Sequence, residues 1–151
     1  NIRIAENADE EMALTGEIDT KNELVIDKIF KDQLIPVTNP DSAASITLLE
    51  YQPNKLRYQV SSATEQTAVF SEIYYDKGWN AYIDGAKVPY VRANYLLRAM
   101  PLKAGSYELE FRFEPQSYKI GNIIALTSSI IFILAFIVAG FFYWRKQKGS
   151  K

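Results

Sequence analysis

The sequence predicts a mainly β protein: an antiparallel β-sandwich or jelly-roll-like domain, preceded by a small α+β piece and followed by one C-terminal transmembrane α-helix. Three observations predict it. Apolar and polar residues alternate with period two through much of 45–113. Turn-forming residues punctuate those runs at regular spacing, as in sandwiches and jelly rolls. From Ile120 to Trp144 no Asp, Glu, Lys or Arg interrupts 25 residues.

The first forty residues are mixed. Asn1–Ala5 and Leu24–Ile29 read as strands, and Asp9–Leu14 as a short helix whose acidic first turn suits the helix dipole. Asn39-Pro40-Asp41-Ser42 reads as a loop separating this piece from the sandwich. Beyond it, Leu56, Tyr58 and Val60 alternate with Arg57, Gln59 and Ser61. Tyr107, Leu109, Phe111 and Phe113 alternate with Glu108, Glu110 and Arg112, one face aromatic and aliphatic, the other charged. Thr67–Tyr75, Trp79–Ile83, Lys87–Val91 and Tyr95–Leu102 complete six or so strands. Asp84-Gly85 is a type I′ hairpin signal, since both central positions of that turn need φ > 0. Lys103-Ala104-Gly105-Ser106 reads as a further turn. The division expected is 1–40 for the N-terminal piece, 41–119 for an extracytoplasmic sandwich, 120–144 for the transmembrane helix and 145–151 for a basic cytoplasmic tail.

A hydrocarbon core of about 30 Å needs about 20 helical residues, so the apolar run crosses with some tilt. Fourteen of its residues are Ile, Leu, Phe or Val, which favours insertion by roughly 4–8 kcal/mol before polar corrections. Tyr118 and Lys119 precede the run, and Tyr143 and Trp144 close it, as interfacial anchors do. Up to Lys119 the chain has 18 acidic and 13 basic residues, a balance of −5, whereas Arg145, Lys146, Lys148 and Lys151 make the tail +4. By the positive-inside tendency the tail is cytoplasmic and residues 1–119 face outward. Gly121, Ala125, Ser128, Ala135 and Ala139 form a stripe of small residues, interrupted by Phe132, that would let another helix approach closely. The chain opens on Asn1 without a charged-then-apolar leader, which reads as a piece of a longer polypeptide or a mature product.

Composition also excludes function classes. The acidic body lacks the basic face that phosphate neutralisation requires, so nucleic acid is not an expected partner. Cysteine and histidine are absent, which removes disulfides, Cys/His metal sites and any histidine-dependent triad. No glycine-rich phosphate loop, serine-nucleophile elbow or two-aspartate sugar-nucleotide motif occurs. No cofactor is expected. Glu108 and Glu110 share a strand face, and paired carboxylates can cleave glycosidic bonds, but their setting reads as a solvated face. Asp9-Glu10-Glu11 could attract a cation, yet the spacing matches no calcium loop and a helix N-terminus accounts for it better. Trp79, Tyr82 and Tyr90, near the Asp84-Gly85 hairpin, are the candidate glycan-stacking residues. Core packing is the competing reading for these rings, because Trp79, Ala81 and Ile83 share one face.

The stretch Tyr74-Tyr75-Asp76-Lys77-Gly78-Trp79-Asn80-Ala81-Tyr82-Ile83-Asp84-Gly85 resembles the C-terminal end of YfhO-type bacterial membrane proteins. So do Val88-Pro89, Arg92-Ala93-Asn94, Leu102-Lys103-Ala104-Gly105-Ser106-Tyr107-Glu108 and Phe113-Glu114-Pro115, in that order and spacing. Upstream, Asp9-Glu10-Glu11-Met12-Ala13-Leu14 and Glu23-Leu24-Val25-Ile26-Asp27 are similar too. The resemblance implies a large polytopic protein of the bacterial cell membrane, of which this chain is the last outward domain and last span. It further implies likeness to membrane glycosyltransferases that use lipid-linked sugars, with catalytic carboxylates on early outward loops outside this chain. The implied partners are the lipid bilayer, upstream transmembrane helices of the same polypeptide, and a glycan or lipid-linked sugar. The rival expectation is a stand-alone, single-span module that binds carbohydrate or protein.

Overall fold

The computed structural model describes residues 1–34 and 36–148. In chain order the elements are β1 (Ile2–Ala5), α1 (Ala8–Thr15), β2 (Leu24–Asp27), a 3₁₀ turn (Lys28–Phe30), β3 (Ser45–Gln52), β4 (Lys55–Ser62) and β5 (Gln66–Ile73). They continue with β6 (Trp79–Ile83), β7 (Ala86–Val88), β8 (Val91–Ala93), β9 (Leu97–Leu102), β10 (Gly105–Phe113) and α2 (Gln116–Lys148). Residues 1–113 form one compact unit and 114 onward a second. The architecture is mainly β with antiparallel sheets and one C-terminal helix, as the sequence predicts.

Strand alternation places the core. A five-stranded antiparallel sheet, ordered β3-β4-β10-β6-β7, faces a three-stranded one, ordered β5-β9-β8. Leu56, Tyr58 and Val60 from β4, Leu109 and Phe111 from β10 and Ala81 from β6 meet Ala68 and Phe70 from β5 and Met100 and Leu102 from β9. Phe70 packs against Tyr58 and Phe111 with ring centroids 5.2 Å apart in each case. Because side chains alternate across a strand, Ala99 projects from the other side of the small sheet. There, with Val91 and Ala93, it buries Leu24 and Ile26 of β2 and Leu34. The parallel pair β1–β2 is thus a third layer, bound to the sandwich by apolar burial rather than by a shared ladder.

Some boundaries move for local reasons. The expected strand Lys87–Val91 is divided, because Pro89 cannot donate to a ladder and the chain crosses there from β7 in the large sheet to β8 in the small one. Asn94 and Tyr95 have φ of 49° and 69°, so the next strand starts only at Leu97. The strand at Leu24 ends at Asp27, whose carboxylate accepts from the N–H of Ile29 and caps the 3₁₀ turn. Asp84 and Gly85, at φ 47° and 82°, both take the left-handed backbone that a type I′ turn requires.

By itself, α2 is one continuous helix of 33 residues. Within it Gln116–Lys146 is long and apolar enough to cross a membrane, with a mean hydropathy of 2.6 in its most apolar stretch. Three of its hydroxyls are satisfied locally: Thr127 donates to the Ile123 carbonyl at 2.8 Å, and Ser128 and Ser129 donate to those of Ile124 and Ala125 at 2.6 and 2.8 Å. That removes most of the cost of carrying them into hydrocarbon. The basic residues Arg145, Lys146 and Lys148 stand in its last turn, where they also complement the helix dipole. Residues 149–151 of the predicted basic tail lie outside the described residues.

Candidate functional site

Trp79 opens β6 and Tyr90 lies between β7 and β8, so the hairpin and the crossover after it bring the two rings to one end of the sandwich. The Tyr90 hydroxyl donates to the carbonyls of Tyr75 at 3.2 Å and Trp79 at 3.1 Å. Its ring meets Tyr74 edge-on at 5.5 Å and Phe111 at 5.6 Å. Burial therefore disfavours the phenolate, and the Tyr90 pKa is pushed up to about 12. Trp79 packs on Phe113 at 5.4 Å. Together with Tyr74, Asp76, Asn80 and Lys87 the pair lines a cleft of about 160 Å³. That is below the ~300–1,000 Å³ typical of a small-molecule site, so it offers an aromatic wall beside polar groups rather than an enclosing pocket. Tyr82 is not part of it. It projects from the opposite face of β6, opposite Glu110 in register, with the Arg112 guanidinium 4.6 Å from its ring centre.

Behind Trp79 lies a charge that the sequence pattern did not reveal. Arg98 of β9 is 2% exposed. Its guanidinium stacks 4.3 Å from the Trp79 ring centre and 5.0 Å from that of Phe111, and its Nε donates to the Ile73 carbonyl at 2.9 Å. Nη1 is buried without a hydrogen-bond partner among the described residues. Desolvation lowers the Arg98 pKa, and the two aromatic faces offset part of that cost. A polar residue inside an otherwise apolar strand, Leu97-Arg98-Ala99-Met100, was the available signal.

A second buried charge joins motifs far apart in sequence. Glu11 is the single buried residue of α1, with an exposure of 0%. One carboxylate oxygen accepts from Arg92 Nη2 at 2.6 Å, the other from the Tyr95 N–H at 2.9 Å. Asp27 stands 3.7 Å from the same guanidinium. Next to it, Asn94 imitates a paired strand residue: its side-chain oxygen accepts from the Val25 N–H, and its own N–H donates to the Val25 carbonyl, both at 2.8 Å. The left-handed backbone at Asn94 and Tyr95 aims these groups at β2 and α1. Of the three acids at the start of α1, only Glu11 turns inward. Glu10 completes the helix cap instead: its N–H donates to the Asn7 side chain, and its carboxylate accepts from the Glu6 N–H.

The outer face of the large sheet is a ladder of paired charges. Arg57 bridges Glu50 at 3.2 Å and Glu108 at 2.9 Å. Glu110 is held by Arg112 and by Lys55, and the Arg112 hydrogen bond keeps its carboxyl below the usual range. Glu108 and Glu110 are thus each engaged by an arginine on the outer face of the sheet.

A family model described as "Bacterial membrane protein YfhO" matches residues 30–125, nearly two-thirds of the chain. The chain belongs to the YfhO family. It is also 28% identical over 102 residues to "Uncharacterized protein YfhO" of Bacillus subtilis (strain 168), an alignment covering 68% of this chain and 11% of that relative. This YfhO-family chain therefore spans about a tenth of the length of the relative it matches. No solved structure matches it. The matched interval contains the Trp79–Tyr90 cleft, Arg98 and the Arg92–Tyr95 turn, whereas Glu11 lies before it.

Proposed function

We propose that this YfhO-family chain is a non-catalytic, extracytoplasmic β-sandwich with its final membrane span, serving a protein whose full polypeptide transfers sugar from a lipid-linked donor. One observation carries the sidedness: the acidic residues all precede the apolar helix, while Arg145, Lys146, Lys148 and Lys151 follow it. The accessory role is supported by the engagement of Glu108 and Glu110 in ion pairs, and the sugar-transfer role by the resemblance set out above. Because this chain lacks cysteine, single cysteines introduced into it, in a full-length protein whose other cysteines are replaced, test the topology in intact bacteria. Ser106→Cys should react with a membrane-impermeant maleimide in whole cells, and Lys148→Cys only after permeabilisation; the reverse pattern refutes the reading. For the accessory role, membranes carrying the full-length protein with Glu108→Gln and Glu110→Gln together should keep the parent rate of sugar transfer from a polyprenyl-linked donor. Abolished transfer by a normally folded variant would place the chemistry in this domain.

A second reading, a module that binds carbohydrate, is favoured by the Trp79–Tyr90 wall flanked by Asp76, Asn80 and Lys87. Calorimetric titration of the detergent-solubilised chain with oligosaccharides discriminates it. Binding that Asn80→Ala or Lys87→Ala abolishes, with the fold intact, supports the module.

A further inference from the structure

The two ends of the sandwich differ sharply in chemistry. At one end lie the β4–β5, β6–β7 and β9–β10 turns, built from Ala63-Thr64-Glu65, Asp84-Gly85 and Lys103-Ala104. Polar side chains close this end: Asp41 accepts from the Ala63 N–H at 2.7 Å, and Ser62 donates to the Thr64 carbonyl at 2.8 Å. The opposite end gathers the β3–β4 turn, the β5–β6 loop, the β8–β9 turn and the last residue of β10. Register puts them together: Arg112 pairs with Lys55, Phe113 with Trp79, and Ile73 with Leu97. The Phe113 N–H donates to the Asn54 carbonyl at 2.8 Å. This end leaves Tyr51, Ile73, Tyr75, Tyr95, Leu96 and Phe113 in solvent, with Tyr51 and Ile73 each 68% exposed. An apolar and aromatic rim at one end, opposite a polar one, is what a soluble domain avoids unless something covers it.

Covalent connectivity says what is near. The chain leaves the sandwich from the apolar end, at Phe113, and Glu114 and Pro115 alone separate it from α2. Three backbone steps reach at most about 11 Å, and one helical turn from Gln116 to Ile120 adds about 6 Å. Phe113 thus stays within about 17 Å of the first residue of the apolar run, so chain connectivity keeps this end of the sandwich the nearer one to the bilayer. Strand β10 runs nine residues to the polar end, about 30 Å away at ~3.3 Å each.

We propose that this rim is a lipid-docking surface, seated in the interfacial layer of the bilayer that α2 crosses. Tyrosine suits that layer because its ring is apolar and its hydroxyl stays wet. Ile73 and Leu96 add aliphatic area that gains by leaving water. Lys77 in the same loop is accompanied by Asp76, and Lys55 and Arg112 at this end are both paired with Glu110, so apolar transfer rather than attraction to anionic lipid carries the docking, and salt should weaken it little.

The inference rests on α2 spanning the bilayer, and the test separates the two. Single cysteines at Ile73, Leu96, Ala63, Ala104 and Ile131 are labelled with a fluorophore in the whole 151-residue chain. The protein is then reconstituted into vesicles of phosphatidylcholine with some phosphatidylglycerol. Labels at Ile73 and Leu96 should be quenched severalfold more by a lipid-borne nitroxide, and less by aqueous iodide, than labels at Ala63 and Ala104. Equal iodide quenching at both ends overturns the proposal. So does a rim shielded from both quenchers, which would mean a protein covers it. If Ile131 itself escapes the lipid quencher, the span fails and docking falls with it; if Ile131 is quenched and the rim is not, docking alone fails.

Discussion

Replacing Arg92 with methionine should destabilise residues 1–113 by about 3 kcal/mol, because it removes the charged partner of a buried carboxylate. Glu11 is fully buried, and its carboxylate has two donors, Arg92 Nη2 and the Tyr95 N–H. Methionine keeps the unbranched stem but leaves the carboxylate one neutral hydrogen bond. Breaking a buried pair by removing one partner costs about 3–5 kcal/mol. The lower end applies here, since the Arg92 side chain is 27% exposed and water can approach the vacated place. A unit of 113 residues at ~0.05–0.15 kcal/mol per residue holds about 6–17 kcal/mol, so the variant folds but with a visibly earlier transition. With a urea dependence of about 1–3 kcal/mol/M, the midpoint should fall on the order of 1–3 M. The assay is urea unfolding of the detergent-solubilised chain, followed by Trp79 fluorescence in a Trp144→Phe background. Glu11→Gln should cost less, because the Arg92 it leaves is partly hydrated and has Asp27 at 3.7 Å. The double variant should cost less than the sum, since no buried charge then remains. An Arg92→Met midpoint unchanged from the parent, or strict additivity, would refute the idea that this pair fastens the N-terminal layer.

Gly78→Ala should cost roughly 1–3 kcal/mol, because its Cβ would sit 2.6 Å from the Phe113 ring and the backbone is at φ +156°; an unshifted melting transition would contradict this. Gly85→Ala meets nothing within 4 Å, so only the left-handed backbone at φ +82° acts, at roughly 1–2 kcal/mol, and Gly85→Asn should recover most of the loss. In the alkaline titration followed by tyrosinate absorbance, Tyr90 should ionise near its raised pKa of about 12, and Tyr90→Phe should delete that step. Its raised folded pKa gives stability that is complete below the unfolded value of about 10 and is lost as pH rises through about 12. Glu110 behaves in the opposite way, its folded pKa being depressed by Arg112. Its contribution is present above the unfolded value of about 4.3 and vanishes as pH falls through the lower folded one, so Glu110→Gln should flatten the loss of stability in acid.

How much of this was legible in the sequence depended on the range of the interaction. The strands β4 and β6 and the body of β10 are legible, since the period-two pattern is local, although β10 begins at Gly105, two residues inside the run read as a turn. The Asp84-Gly85 turn is legible for the same reason, its backbone demand resting on the two residues themselves. The split of 87–91 into β7 and β8 was not, because alternation does not say which sheet a strand joins. Among the candidate stacking residues, Trp79 and Tyr90 meet at one cleft while Tyr82 projects from the other face of its strand. Position parity separates Trp79 from Tyr82, but only the crossover brings Tyr90 beside Trp79.

The sequence by itself determined the mainly β character, the apolar length of the final helix and the acidic–basic division about it, because each depends on neighbours along the chain and on hydration. Tertiary structure alone decided that Glu11 meets Arg92 across 81 positions, that Arg98 lies between aromatic rings, and that six exposed apolar residues collect at the end from which the chain runs on to α2. Those outcomes depend on which strands pair and which turns share an end, and that is set by simultaneous burial of the whole core, not by any local pattern.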